Sequence, residues 1–198
     1  MTAELNHETQ RLILRPWRES DAQALYEYAK DPQVGPAAGW PPHTSVENSR
    51  KIIRDVLSAP ETYAVVLKET DRPAGSIGLM VGKQSSLGIG CNEGELGYWL
   101  GVPYWGRGLI PEAAMALIKY GFEGLRLTKI WCGYFEGNEK SRRVQEKCGF
   151  RYHHTNEGIE CPLMGDIRTE HVTCLTKEAW KKRILKNEME RKQAERSI

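Results

Sequence analysis

The residues able to do chemistry fall in three stretches of this chain. The first is Trp105-Gly106-Arg107-Gly108, followed at once by LIPEAAMALIKYGF. Two glycines in a turn permit positive φ and close approach of a ligand to the backbone. A helix opening out of that turn would present unpaired N–H groups and a positive dipole end, a combination that suits phosphate. The second is Glu95, in GELGYWLGV, where a carboxylate on a strand can take a proton. The third is NEKSRRVQEKCGF, in which Asn138 is a good helix N-cap and Ser141 follows in the first turn. His43, His153, His154 and His171 lack metal-ligand spacing, so no metal site and no catalytic histidine is read from them. The five cysteines (91, 132, 148, 161 and 174) form no Cys-x-x-Cys and leave an odd one over. They read as reduced thiols serving as small apolar fillers.

Two nucleotide motifs can be set aside. Residues 101–108 have the first spacing of a P-loop, but Arg107 replaces its lysine and Gly108 its magnesium-binding hydroxyl. Gly106-x-Gly108-x-x-Pro111 fails the dinucleotide fingerprint at its third glycine and sits mid-chain. Length suits one domain with a real core. A net charge of +2 and a pI near 8.2 announce no nucleic-acid partner. The longest apolar run, residues 113–118, is far short of the ~20 needed to span a bilayer. MTAELNHETQ has neither the basic start nor the apolar run of a secretory signal. A cytoplasmic protein without a membrane partner is expected.

Punctuation and periodicity supply the elements that must hold these residues. RLILR (11–15) alternates as a strand, and Ser20 or Asp21 caps a helix to about residue 30. Residues 35–45, GPAAGWPPHTS, are too rich in glycine and proline for regular structure. Thr44 or Ser45 caps a helix to about residue 57. YAVVLK (63–68) and GSIGLMV (75–81) form a hairpin, followed by a loop over 83–92. Over 95–102, Leu96, Tyr98, Leu100 and Val102 share one face, with Glu95, Gly97, Trp99 and Gly101 on the other. Pro103 ends that strand. Pro111 suits the first position of the next helix and Gly124 the position past its end. TKIWCGY (128–134) is a strand, and Asn138 starts a helix that Gly149 stops. Residues 150–154 and 170–175 are the last strands, with 155–168 irregular. The fold class is α/β (α+β mixed): a central mixed sheet of six to seven strands flanked by about four helices. Residues 1–180 form one domain and 181–198 a charged helical tail. From residue 176 onward eight Lys/Arg face four Glu, a net +4 that leaves −2 for residues 1–175. Trp180, Ile184 and Leu185 can dock one turn of the tail; the rest is solvated or meets a partner. An exposed last strand and this tail leave room for a homodimer.

ELGYWL, YWGRGLIPEA and NEKSRRVQEKCGF together resemble the GNAT superfamily of acyl-CoA-dependent N-acetyltransferases. Within it they look most like the RimJ/RimL branch, the ribosomal-protein alanine N-acetyltransferases. TQRLILRPW and CLTKEAW extend the resemblance over about residues 8–180. It implies a sheet splayed between the fourth and fifth strands, GELGYWLGV and KIWCGY. The pantetheine arm of coenzyme A would lie in that gap against the backbone of Leu100, Gly101 and Val102. The family's pyrophosphate loop, Gln/Arg-x-x-Gly-x-Gly/Ala, falls on Trp105, Gly106, Arg107, Gly108, Leu109 and Ile110, and departs from the pattern at Trp105 and Ile110. Arg107 either adds charge to the phosphates or faces solvent. Asn138 either binds pantetheine or only caps its helix. The tyrosine that the family often places seven residues later is Gln145 here, which cannot give a proton. Ser141 matches the serine that RimJ/RimL-like enzymes keep near the sulfur and is the candidate proton donor. Glu95 is the candidate base, directly or through water, or else a structural carboxylate. Tyr134 orients the carbonyl or fills the core. Trp40 and His43 wall the acceptor entrance from one side, and residues 155–168, with Glu160 and Asp166, from another.

The implied reaction carries the acetyl group of acetyl-CoA, a co-substrate, to a primary amine. An N-terminal α-amine of pKa about 7.7–8 is roughly a fifth neutral near pH 7.2, and a lysine side chain less than about one part in a thousand. A site with one modest carboxylate fits the weaker base. A protein or peptide N-terminus, such as that of a ribosomal protein, is therefore the expected acceptor. A small amine (antibiotic, polyamine or amino acid) and a non-catalytic acyl-CoA-binding module are the alternatives.

Overall fold

A computed structural model describes residues 6–196. Residues 1–5, where a leader would begin, and 197–198, the end of the tail, lie outside it. The strands are β1 His7–Glu8, β2 Leu12–Pro16, β3 Thr62–Leu67, β4 Arg72–Val81, β5 Glu93–Leu100, β6 Lys129–Phe135, β7 Arg151–Cys161 and β8 Asp166–Thr176. The helices are α1 Ala22–Ala29, α2 Val46–Ile52, α3 Leu109–Glu123, α4 Glu139–Cys148 and α5 Lys177–Arg196. The strands form one sheet in the order β1-β2-β3-β4-β5-β6-β8-β7. Its neighbours are antiparallel except β5 and β6.

The apolar run of β3 shows how the layers form. Tyr63, Val65 and Leu67 enter the core beneath α3 and α4, while Ala64 and Val66 enter a second core beneath α1. A strand buried on both faces reads as continuous hydrophobicity rather than alternation. Leu109, Ala113, Leu117 and Ile118 of α3 close the first core, and Trp17, Leu25 and Ile53 the second.

The expected splay is present. Between β5 and β6 the ladder covers only Glu93↔Lys129, Gly94↔Ile130 and Glu95↔Trp131. Beyond it β5 stays with β4 as far as Leu100↔Gly75, while β6 stays with β8 as far as Phe135↔Glu170. The gap lies between the fifth and sixth strands, because the two-residue β1 adds a strand ahead of those read from the sequence.

Several expectations are corrected. Residues 155–168 are not irregular: they are the outer half of the β7–β8 hairpin, paired Ile159↔Arg168 and Cys161↔Asp166. Register shifts at Tyr152/His154 and Asn156/Ile159 interrupt the period of two that would have revealed it. β8 lies between β6 and β7, so the last strand offers no free edge for a dimer; the edge is β7. Pro111 is the third residue of α3, still within the turn whose N–H groups lack helical acceptors. β5 ends at Leu100, and Val102 belongs to a 3-10 turn, Val102–Tyr104. Ser45, not Thr44, caps α2 by accepting from the Asn48 amide. Asp21 stands at the start of α1, but its carboxylate turns to Arg15 instead of capping. Trp180 is buried against Phe122, yet α5 continues unbroken to Arg196 with Leu185 exposed.

Candidate active site

The turn before α3 has the expected shape. Gly106 and Gly108 sit at φ +75 and +73, and Gly108 is the N-cap. Among the described residues, the amides of residues 106–110 donate to no acceptor, whereas the Glu112 amide already bonds the Gly108 carbonyl. Free amides over a helix N-terminus fit a pyrophosphate. Arg11 braces the turn from outside, donating to the Arg107 carbonyl at 2.9 Å and to Glu112 at 2.7 Å. Both departures from the family loop now have a physical account. Ile110 is 6 % exposed and its side chain belongs to the core, while its amide is among those without an acceptor. Trp105 donates its indole N–H to the Leu100 carbonyl at 2.7 Å, and the Lys140 ammonium from α4 lies 3.6 Å above its ring. Arg107 makes an exposed pair with Glu69 and lies 5.7 Å over the Tyr104 ring, contacts that hold it weakly. A Cβ on Gly106 would meet nothing within 4 Å, so Gly106→Ala costs only the strain of left-handed φ, about 1–2 kcal/mol. Weaker acetyl-CoA binding by calorimetry is the expected outcome; unchanged affinity would remove this turn from the phosphate site.

On the α3/α4 face of the gap stands a polar network. The Asn138 side chain caps α4 by accepting from the Ser141 amide at 3.1 Å. That fixes Ser141 on the turn nearest β5, where its hydroxyl lies 2.9 Å from the Tyr98 hydroxyl. Gln145 Nε2 donates to Ser141 Oγ at 3.2 Å and to the Gly133 carbonyl at 3.0 Å, and Gln145 Oε1 accepts from Thr173 at 2.7 Å. Alternation along the strand puts Tyr98 on this face, whereas its bond across the gap is a tertiary contact that strand periodicity does not reveal. The signal available was a phenol among apolar side chains, whose polar tip needs a partner.

On the opposite face, half-buried Glu95 accepts from the Ser85 hydroxyl at 2.7 Å. Burial raises its pKa; the Ser85 bond opposes the rise and the nearby Glu170 carboxylate adds to it. Glu170, from β8, escaped the sequence reading altogether. It lies over Gly133, where any Cβ would strike its carboxylate. Its pKa is raised by burial, against the Asn156 side chain and His154. This face thus carries two carboxylates that both gain from a nearby cation. Trp40 and His43 belong to it as well: Trp40 packs on His43 and on Trp99 of β5, with ring centroids 5.3 and 5.8 Å away. Burial lowers the His43 pKa, and its Nδ1 lies 2.8 Å from Ser49 Oγ.

The remaining candidates are dispersed. Tyr134 points to the α4 face, lining a hollow with Arg142, Gln145 and Tyr152, away from Glu95. Asn138 Nδ2 donates to the Ala37 carbonyl, so both ends of its side chain are already bonded. Of the Leu100–Val102 backbone, the Gly101 amide bonds Ala74, and the carbonyls of Leu100, Gly101 and Val102 accept from the Trp105 indole, Tyr104 and Trp105 amides. Cys132 Sγ reaches the Leu96 carbonyl across the gap at 3.1 Å, which shows that Leu96 faces β6. By the period of two, Tyr98 and Leu100 present their backbone groups the same way, with no ladder partner. Asp166 is held by Arg168, and Glu160 is exposed. Arg168 also donates to the Pro36 carbonyl at 2.6 Å and Cys161 to the Gly39 carbonyl at 3.4 Å, clasping residues 36–39 to the hairpin.

Comparison with known proteins agrees with this geometry. The family model described as "Acetyltransferase (GNAT) domain" matches residues 11–151. The chain is 33 % identical over 148 residues to the uncharacterized N-acetyltransferase p20 of Bacillus licheniformis, covering 72 % of this chain and 80 % of that one. Its fold resembles a GNAT-family acetyltransferase from Bacillus anthracis, with a TM-score of 0.76 and 24 % identity over 88 % of this chain and 99 % of that one. It also resembles a putative ribosomal-protein-serine acetyltransferase from Vibrio cholerae, with a TM-score of 0.73 and 24 % identity over 89 % and 99 % of the two chains. A splayed mixed sheet, a glycine turn opening a helix in the gap, and these relatives lead to one conclusion: the chain belongs to the GNAT acetyltransferase family and uses acetyl-CoA as co-substrate.

Proposed function

We propose that the protein acetylates the N-terminal α-amine of a protein or peptide. The observation that carries this reading is the arrangement of Glu95 and Ser141 on opposite faces of one sheet, either side of the gap. In this reading the amides of Gly106 to Ile110, with Trp105 and Arg107 beside them, hold the pyrophosphate. The Leu100 backbone facing the gap and the Val102 amide hold the pantetheine arm, with the second Nδ2 hydrogen of Asn138, while Gly101 stays bonded to Ala74 and Tyr104. Glu95 takes the proton of the attacking amine, directly or through one water, and its raised pKa makes it the stronger acceptor. Ser141 donates to the departing sulfur from the other face. Trp40 and His43 line the acceptor entrance. The likeness to a putative ribosomal-protein-serine acetyltransferase supports a ribosomal-protein N-terminus as the acceptor.

A thiol-release screen of N-terminal peptides against polyamines, aminoglycosides and amino acids tests it. Peptides are expected to be the faster class. Glu170 beside Glu95 suits an acceptor with a second positive charge, which keeps a polyamine as the second reading. Faster turnover of a polyamine than of any peptide would overturn the N-terminal assignment. No turnover alongside tight acetyl-CoA binding by calorimetry would leave a binding module.

A further inference from the structure

The Ser141 hydroxyl has one hydrogen and two lone pairs, and its neighbours restrict what each can do. Gln145 is 1 % exposed, so its amide answers to protein groups alone. The Gly133 carbonyl, 3.0 Å from Nε2, can only accept, which settles the orientation of that amide. Thr173, whose one hydrogen lies between Oε1 at 2.7 Å and the Cys132 carbonyl at 3.0 Å, is the donor on the other side, and the second Nε2 hydrogen points at Ser141 Oγ, 3.2 Å away. One lone pair of the serine is therefore filled.

The Tyr98 hydroxyl lies 2.9 Å from Ser141 Oγ and 3.2 Å from the Ser141 carbonyl. Two arrangements of hydrogens satisfy these distances. In one, Ser141 donates to Tyr98 and Tyr98 donates to the Ser141 carbonyl. In the other, Tyr98 donates to Oγ and fills its second lone pair, so the serine hydrogen is left for an acceptor outside the network. Passing between them turns two O–H bonds and moves no heavy atom. A donor that needs no rearrangement of its scaffold is what stabilises charge as it forms.

Building on the reading of Ser141 as donor, we infer that Tyr98 and Gln145 are positioning residues that aim the Ser141 hydrogen at the departing sulfur. Gln145 gives no proton itself but fills a lone pair of the residue that does donate. Burial pushes the Tyr98 pKa well above 10, so the phenol stays protonated and remains a donor. The thiols facing it, Cys132 and Cys148, are also pushed up by burial, the latter to about 11, and stay neutral.

The test titrates the thiol of bound coenzyme A by its thiolate absorbance, taken as a difference from the bound desulfo analogue. Tyr98→Phe and Ser141→Ala are each expected to raise the pH of ionisation by about one unit, a tenfold loss of thiolate stabilisation. The double variant is expected to go no further, because Tyr98 acts through Ser141. Gln145→Met is expected to move it the same way, and gives a second route should Tyr98→Phe fail to bind coenzyme A. With acetyl-CoA and the fastest amine of the panel, kcat should fall about tenfold in Tyr98→Phe at unchanged KM for acetyl-CoA. A shift in Ser141→Ala but none in Tyr98→Phe, or shifts that add in the double variant, overturns the inference alone. No shift in Ser141→Ala removes Ser141 as donor and the inference with it. Neither result bears on the choice of acceptor, which the peptide panel decides.

Discussion

With glutamine at position 95, kcat/KM for the preferred amine is expected to fall about 10²–10³-fold near neutral pH. The substitution keeps the side chain's volume, so acetyl-CoA affinity should hold. The loss should narrow as pH rises, because an amine already deprotonated needs the base less. Stability supplies an independent check. Burial and the Glu170 charge raise the Glu95 pKa, so the folded protein binds that proton more tightly than the unfolded chain does. Stability is then fullest below the ordinary carboxylate range and declines as pH rises through the raised value. Glu95→Gln removes that decline. The variant should melt above wild type at neutral pH, with the gain fading on acidification, as read by calorimetry at several pH values. A rate loss independent of pH, with no gain in melting temperature, would make Glu95 a structural carboxylate.

The second large effect concerns the layer behind the acceptor face. Arg15 and Asp21 form a two-bond ion pair at 2.7 and 2.8 Å, with the residues 9 % and 7 % exposed. Asp21 also accepts from the Arg18 amide at 2.9 Å, so one carboxylate joins the end of β2 to the start of α1. Asp21→Ala removes both of these bonds from a buried guanidinium, and breaking such a pair costs about 3–5 kcal/mol. Urea denaturation should show that loss, enough to leave a domain of ordinary stability barely folded. A change under about 1 kcal/mol would mean the pair is solvated and carries little.

Legibility followed the kind of signal each residue leaves. The glycine turn opening α3 and the Asn138 and Gly149 boundaries of α4 could be read because local backbone needs select those residue types. The apolar run of β3 was legible as a strand, but its burial on both faces was not, since that depends on the helices packed against each side. The outer β7–β8 hairpin was not, because its ladder is carried by backbone bonds while bulges scramble the side-chain period. Glu170 could not be found either. Its nearness to Glu95 depends on the β6–β8 register and on the space left by Gly133, both tertiary facts. Tyr98 lies between these cases: its face was readable, its partner on α4 was not. Ile110 looked like a flaw in a motif until the core it fills was known.

The placement of Glu95 and Ser141 on opposite sides of the sheet also governs traffic. The phosphate turn opens on the α3 side, while the carboxylates and the clasped residues 36–39 lie on the other. In the proposed reading each substrate has its own doorway, so neither must leave before the other arrives. Double-reciprocal plots should give intersecting rather than parallel lines. Nor is the Cys132 thiol poised between them as a nucleophile, since it is buried, protonated and bonded to the Leu96 carbonyl. The acetyl group should cross the sheet in a single passage, with no stop on the protein.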